Sequence, residues 1–259
     1  MVLLLLGGVA ASMLSALQLI HLLDPRYAPR DLPVCRVATR DRVLALTFDD
    51  GPDPGDTPAV LDLLSGVGGR ATFVVIGRKA AADPEHVAEE VRRGMEVGDH
   101  SWSHRPLGEL STRDVWLDIA RAERALASLG ASSLFRAPFG AFLPEHTEVL
   151  RELGVRPIHW SIAVDHLVGG LGLPPEEAER KLVAEVRPGD IILLHDAPLG
   201  ADDPHDPRRA ALRTLALALP TLHRAGYRFV TVSELLRTGE PVHAEPRPWF
   251  WQDGFSCPS

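Results

Sequence analysis

The chain has 259 residues, 45% of them hydrophobic and 24% charged, with a formal net charge of −8. That balance suits one globular domain with a sizeable core, and it excludes the overall basic face that nucleic acid requires as well as long-range attraction to an acidic polymer. Only two cysteines occur, Cys35 and Cys257, which excludes a cysteine-rich scaffold and an all-cysteine zinc site; they can pair with each other or stand as separate thiols.

Val2 to Leu23 carries no charged side chain, close to the roughly 20 apolar residues that cross a bilayer as a helix. A membrane anchor or signal-like segment is expected over residues 1–23, with a helix packed on the domain as the alternative. No basic residue precedes the run, Gln18 and His21 weaken its end, and Arg26 and Arg30 follow it, an order that the positive-inside rule does not favour for an exported domain. Residues 24–42 read as a linker, 43–238 as the main domain and 239–259 as a tail rich in proline and aromatics, expected to pack as irregular chain.

Within the main domain, apolar runs of strand length alternate with helical patterns. Strands are expected at Val43–Phe48, Ala71–Ile76, Glu96–Gly98, Leu134–Arg136, Val155–Ser161, Asp190–His195 and Arg228–Val232. Helices are expected at Thr57–Val67, Pro84–Arg93, Ser111–Leu129, Pro144–Leu153, Pro174–Val186 and Pro207–Ala225, where apolar residues recur at three- and four-residue spacing. Ser111 with Asp114, and Pro174 with Glu176 and Glu177, are start signals; Gly94, Gly130, Gly154 and Gly226 are stop signals. The alternation predicts an α/β fold, a distorted (β/α) barrel of about seven parallel strands.

The unusual polar groups fall just past the C-terminal ends of those strands, where barrels build their sites. Asp49 and Asp50 follow the first, His100 and His104 the third, Arg136 the fourth, Asp165 the fifth and His195 the next. Two adjacent carboxylates at the end of a buried strand repel one another and are costly to ionise unless a partner compensates. Asp-Asp-Gly-Pro also suits a plain turn. His100 and His104 are four residues apart, a separation that can aim two imidazoles at one ion. With a strand-end carboxylate they make a three-ligand set with a position left open for water, as in catalytic zinc. Iron(II), cobalt and manganese suit the same donors. The second carboxylate would then be free to take a proton.

The motifs TFDDGPDPGDTPAVLDLL, ATFVVIG, GMEVGDHSWSH, FRAPFG and IILLHD, in that order between about Val43 and Leu236, resemble those of the polysaccharide deacetylases with a NodB-homology domain, carbohydrate esterase family 4. The resemblance implies a metal-dependent hydrolase of N-acetyl groups on a glycan. It assigns Asp49 as general base, Asp50, His100 and His104 as metal ligands, and His195 as general acid. It also implies that Arg136 holds Asp49, that the Phe139 N–H stabilises the oxyanion, and that Leu193 lines the pocket for the acetyl methyl. Trp160 joins the substrate-facing residues. In WSIAVDHLVGG the chain departs from the family pattern WSVDxxDW: Ala163 and His166 stand at the two aspartate positions and Leu167 at the tryptophan. Asp165, one residue away, is the candidate partner of His195.

A glycan is the expected partner, with no nucleic acid or protein partner indicated, possible membrane association through residues 2–23, and a location outside the cytoplasm, at the cell envelope. Trp249 and Trp251 could stack on sugar rings. Two rival readings are a deacetylase or deformylase of a lipid-linked sugar, suggested by the apolar N-terminus, and a noncatalytic glycan-binding module, suggested by the altered Ala163–Leu167 segment. His159 is read as buried beside Trp160, His86 and His223 as helix-surface residues, and His146, His205 and His243 as loop residues. Asp196 is read as facing solvent or steadying its loop.

Overall fold

The apolar run that ends at the paired aspartates is the buried centre of a parallel sheet. The computed structural model describes residues 31–198, 206–246 and 255–258. The expected anchor at residues 1–23, His205, Trp249 and Trp251 lie outside the described residues. Strand β1 (Val34–Ala38) comes first, followed by β2 (Val43–Asp49), buried at every position. Next are β3 (Thr72–Val75), β4 (Glu96–Asp99), β5 (Leu134–Phe135), β6 (Arg156–Pro157), β7 (Ile162–Ala163), β8 (Ile191–His195), β9 (Arg228–Val230) and β10 (Glu240–His243). Seven of them run in the order β6-β5-β4-β3-β2-β8-β7, all parallel, and curl into a half-barrel; β9 pairs with the first three residues of β2, on the edge whose upper part pairs with β3.

Alternation along β2 separates two environments. Leu44, Leu46 and Phe48 pack outward with Leu215, Leu219 and Leu222 of the Pro207–Arg224 helix. Val43 and Ala45 join Val74 and Ile191 in a second cluster. Thr47 and Asp49 continue the face of Val43 and Ala45, so the apolar cluster gives way to polar groups toward the strand's C-terminal end. The expected helices form within a few residues of their predicted ends, at Asp56–Ser65, Pro84–Arg92, Thr112–Ala127, His146–Glu152, Pro175–Glu185 and Pro207–Arg224. In the Thr112–Ala127 helix, Val115, Ile119, Ala122 and Leu126 make the buried stripe, and Ser111 caps it by accepting from the Asp114 N–H.

Several expectations need correction. The single strand expected at Val155–Ser161 is two: β6 stops at Pro157 and β7 starts at Ile162, on opposite edges of the sheet. Between them Ile158 bridges to Val34 of β1. Residues 34–38, read as part of a linker, pair antiparallel with β10, so part of the tail is also regular. Two further strands, β11 (Glu245–Pro246) and β12 (Phe255–Ser256), pair with each other. Short helices at Gly77–Ala82 and Val232–Leu235 escaped the periodicity because they are only six and four residues long. Cys35 and Cys257 form a disulfide, with Cα atoms 5.7 Å apart and 222 residues between them in sequence. Among the described residues no helix is long and apolar enough to cross a membrane.

Candidate active site

The register of the sheet brings Asp49 and His195 together. They are paired residues at the ends of β2 and β8, and Thr47 pairs with Leu193 one layer below. Thr47 supports the upper pair through its hydroxyl. The Thr47 hydroxyl donates to the Ile192 carbonyl at 2.8 Å and accepts from Arg136 Nη1 at 2.9 Å. Arg136, just past β5, is fully buried; the same Nη1 donates to Asp49 Oδ1 at 2.6 Å and Nη2 donates to the His159 carbonyl at 2.9 Å. A buried guanidinium with this many fixed acceptors holds one carboxylate oxygen in a single place.

Past the strand ends the backbone turns sharply. Asp50, Ser101, His104 and Phe139 are the four non-glycine residues with positive φ among those described, at 74°, 63°, 57° and 58°. Such conformations cost of order 1–3 kcal/mol each and persist where the surroundings enforce them. Here the loops carry candidate site residues. Lys79 Nζ donates to the Asp50 carbonyl at 2.8 Å, and the Ser101 N–H donates to Asp99 Oδ1 at 2.6 Å. The Ser101 hydroxyl accepts from the His104 N–H at 3.1 Å.

The bent loops aim three ligand-type atoms at one point. Asp50 Oδ1 lies 3.0 Å from His104 Nε2 and 3.4 Å from His100 Nε2, and the ligand atoms of all three residues fall within 4.8 Å of one another. His100 Nδ1 donates to the Arg136 carbonyl at 2.8 Å; that bond fixes the tautomer that leaves Nε2 with its lone pair. Asp50 Oδ1 is buried with no hydrogen-bond partner. A convergence of bare acceptors is repulsive unless a cation sits among them, so the residues present fit a divalent ion. Burial opposes ionisation of Asp50, yet the facing imidazoles of His100 and His104 outweigh it and hold the carboxyl well below the usual carboxylate range. Burial also works against charging His100, and is outweighed by the nearby carboxylates of Asp49 and Asp50, which raise it.

On the other side of Asp49, Asp165 Oδ2 lies 3.1 Å from His195 Nδ1, and His195 Nε2 points toward Asp50 Oδ2 at 4.0 Å. A carboxylate thus lies beside His195 although Ala163 stands at the family's aspartate position. Asp165 precedes a turn of π-helix at His166–Gly170, which leaves His166 exposed and puts Leu167 in the helix-side core with Val164 and Val168. Phe139 is 60% exposed and its ring lies 4.9 Å from that of His104. Trp160, half-buried, stacks on the buried His159 at 3.8 Å. It also presses on Gly140, where a Cβ would come within 2.5 Å of the indole. Leu193 is buried, at 6% exposure.

Other polar residues read differently from their sequence positions. Asp196 is fully buried rather than solvent-facing: its carboxylate accepts from the Thr57 hydroxyl, and burial pushes it up to about 7 against that bond. His146 is buried at the start of a helix, where Nδ1 accepts from the Leu143 N–H, and His243 lies in β10. Sequence reasoning missed Thr47, Lys79 and Arg208, whose Nη2 donates to Asp50 Oδ2 at 2.7 Å. Thr47 is the one with a usable signal, a polar residue two before Asp49 in an otherwise apolar strand.

A sequence model of the family described as polysaccharide deacetylase matches residues 36–158. The peptidoglycan-N-acetylglucosamine deacetylase of Bacillus cereus is 34% identical over 217 residues, 83% of this chain and 98% of that protein. A chitooligosaccharide deacetylase of a Bradyrhizobium species is 32% identical over 209 residues, covering 75% of this chain and 90% of the other. Among solved structures, the peptidoglycan deacetylase PdaC from Bacillus subtilis matches with a TM-score of 0.66 at 27% identity, over 77% of this chain and 92% of that one. A relative matched at this identity over nearly its whole length makes this chain a member of the polysaccharide deacetylase family.

Proposed function

We propose that the protein hydrolyses the N-acetyl group of N-acetylglucosamine units in a glycan, releasing acetate and leaving a free amine. Peptidoglycan is the first substrate and chitin-like oligomers the second, as the names of its relatives suggest. The observation that carries the reading is the meeting, at the ends of β2 and β8, of a fixed carboxylate, a three-ligand cation site and a carboxylate-paired histidine.

A divalent cation held by Asp50, His100 and His104, zinc before cobalt, iron(II) or manganese, would supply Lewis acidity, making a water more acidic and the amide carbonyl more electrophilic. The chain's own groups do the rest. Asp49 has Oδ1 tied to Arg136 and Oδ2 turned toward the ligand cluster, 3.7 Å from His100 Nε2; Oδ2 takes a proton from the attacking water as its oxygen bonds to the carbonyl carbon. The Phe139 N–H donates to the developing oxyanion, a contribution of about 3–4 kcal/mol in comparable sites. His195, oriented through Nδ1 by Asp165, gives its Nε2 proton to the nitrogen as the C–N bond breaks. Leu193 and Trp160 bound the site with apolar surface suited to an acetyl methyl.

The enzyme would act outside the cytoplasm, at the cell envelope, held there by residues 2–23. The Cys35–Cys257 disulfide supports the oxidising location, and the uncharged run of residues 2–23 supports the attachment. Acetate release by the zinc-loaded full chain is to be measured on peptidoglycan and on N-acetylglucosamine oligomers. Asp49→Asn is expected to keep zinc and lose about 10²-fold or more in rate. Turnover near that of the wild type in this variant would remove Asp49 from the mechanism, and no release from any glycan by metal-loaded wild type would sink the reading.

A further inference from the structure

Asp50 offers two oxygens, and only one of them faces the histidines. Oδ1 points at His100 and His104 without a hydrogen bond of its own, whereas Oδ2 accepts from Arg208 Nη2 at 2.7 Å. Arg208 comes from the first turn of the Pro207–Arg224 helix, 158 residues away in sequence. It is anchored at both ends. Its backbone N–H donates to Asp206 Oδ1 at 2.9 Å and its Nη1 donates to the Ala197 carbonyl at 2.8 Å, two residues beyond His195. The guanidinium therefore spans from the candidate ligand to the segment that carries the candidate acid.

We infer that Arg208 is a positioning residue for the cation site: it holds Asp50 Oδ2, so that the carboxylate presents Oδ1 alone to the ion and its other oxygen is already bonded where it faces His195. This inference rests on the proposed metal site and deepens it. Two physical consequences support the assignment. A charge-assisted bond to one carboxylate oxygen fixes the rotation of the whole group, so the ligand oxygen is placed before the ion arrives. His195 Nε2 is only 4.0 Å from Asp50 Oδ2; with Arg208 absent that oxygen would be a free acceptor for the proton His195 is meant to deliver. Arg suits the position because its planar fork bonds Asp50 and Ala197 at once, which an ammonium point charge cannot do with the same geometry.

The test is zinc affinity of the full chain, measured by competition with a chromophoric chelator, in wild type, Arg208→Met, Arg208→Lys and Arg209→Met, with His100→Ala as site control. Loss of a residue that orients a ligand costs about 10–100-fold in metal affinity, and Arg208→Met is expected in that range. Arg208→Lys should recover part of the loss and Arg209→Met should bind zinc as wild type does. The cobalt(II)-loaded Arg208→Met protein should also show an altered visible spectrum, which loss of fold stability alone does not produce. If Arg208→Met does not fold, Arg208→Lys and Arg208→Gln carry the same measurements. Wild-type zinc affinity and an unchanged cobalt spectrum in the Arg208 variants, with zinc lost from His100→Ala, would overturn the inference and leave the metal site standing. A wild-type chain that binds no zinc would overturn both.

Discussion

Asp49 and His195 are register partners across β2 and β8, yet they are held in opposite ways. Asp49 is tied to a guanidinium that is itself part of the core, and the two side chains are 4% and 0% exposed. His195 is tied to a carboxylate on an irregular turn, and both members of that pair are 18% exposed. The proposed base is thus fixed by the interior and the proposed acid by the rim. A buried charge left without its partner costs several kcal/mol, whereas a pair that keeps some contact with solvent costs less to break. The same local chemistry, a charged group orienting a proton carrier, should therefore have different consequences for stability on the two sides of one strand pair.

Arg136→Met tests the first side and carries the largest expected effect. It strands Asp49 and removes the donor to Thr47 and to the His159 carbonyl. Unfolding free energy from urea titration should fall by about 3–5 kcal/mol, and acetate release per folded molecule by about 10²-fold or more because the base loses its fixed oxygen. A variant as stable as wild type would break the contrast. Asp165→Asn tests the other side. Its kcat should fall by about 10–100-fold as His195 loses its orientation, with KM little changed and stability altered by less than about 1 kcal/mol. Wild-type kcat in this variant would mean that another group orients His195. It would also revive the binding-module reading, which drew on the altered sequence there.

The two sides also differed in how far they could be read in advance. Asp49, Asp50, His100, His104, Arg136 and His195 all sit at the ends of apolar runs, where strand periodicity stops and polar residues begin, so the sheet's topology alone gathers them. Asp165 was harder to place because its role depends on a π-helical turn that no periodicity announces. Arg208 was invisible for another reason. It is followed at once by Arg209 in a polar first turn, and only packing of the Pro207–Arg224 helix against the sheet shows which of the two reaches Asp50. At the level of the fold, β1 and β10 were missed because each is short and lies in a segment rich in proline and charge. Their pairing is non-local, Val34 with His243, and local pattern carries no information about such a partner.

That non-local ribbon gives the smallest expected effect on catalysis. Cys35 lies in β1, in a cluster with Phe135 and Ala137 on either side of Arg136, and the carbonyl of neighbouring Val34 accepts from the His159 N–H at 2.7 Å. The disulfide thus braces the wall behind Arg136 without touching a reacting group. Its stabilisation comes mainly from the unfolded chain, where it closes a loop of more than two hundred residues. Replacing both cysteines by alanine should lower the unfolding free energy by about 2–4 kcal/mol. Acetate release below the melting temperature should stay near wild type, because the bonds of Arg136 to Thr47 and Asp49 come from inside the sheet. A loss of turnover as large as that of Arg136→Met, in protein still folded by circular dichroism, would show instead that the ribbon sets the position of the guanidinium. The boundary between core and rim would then have to be drawn to include β1.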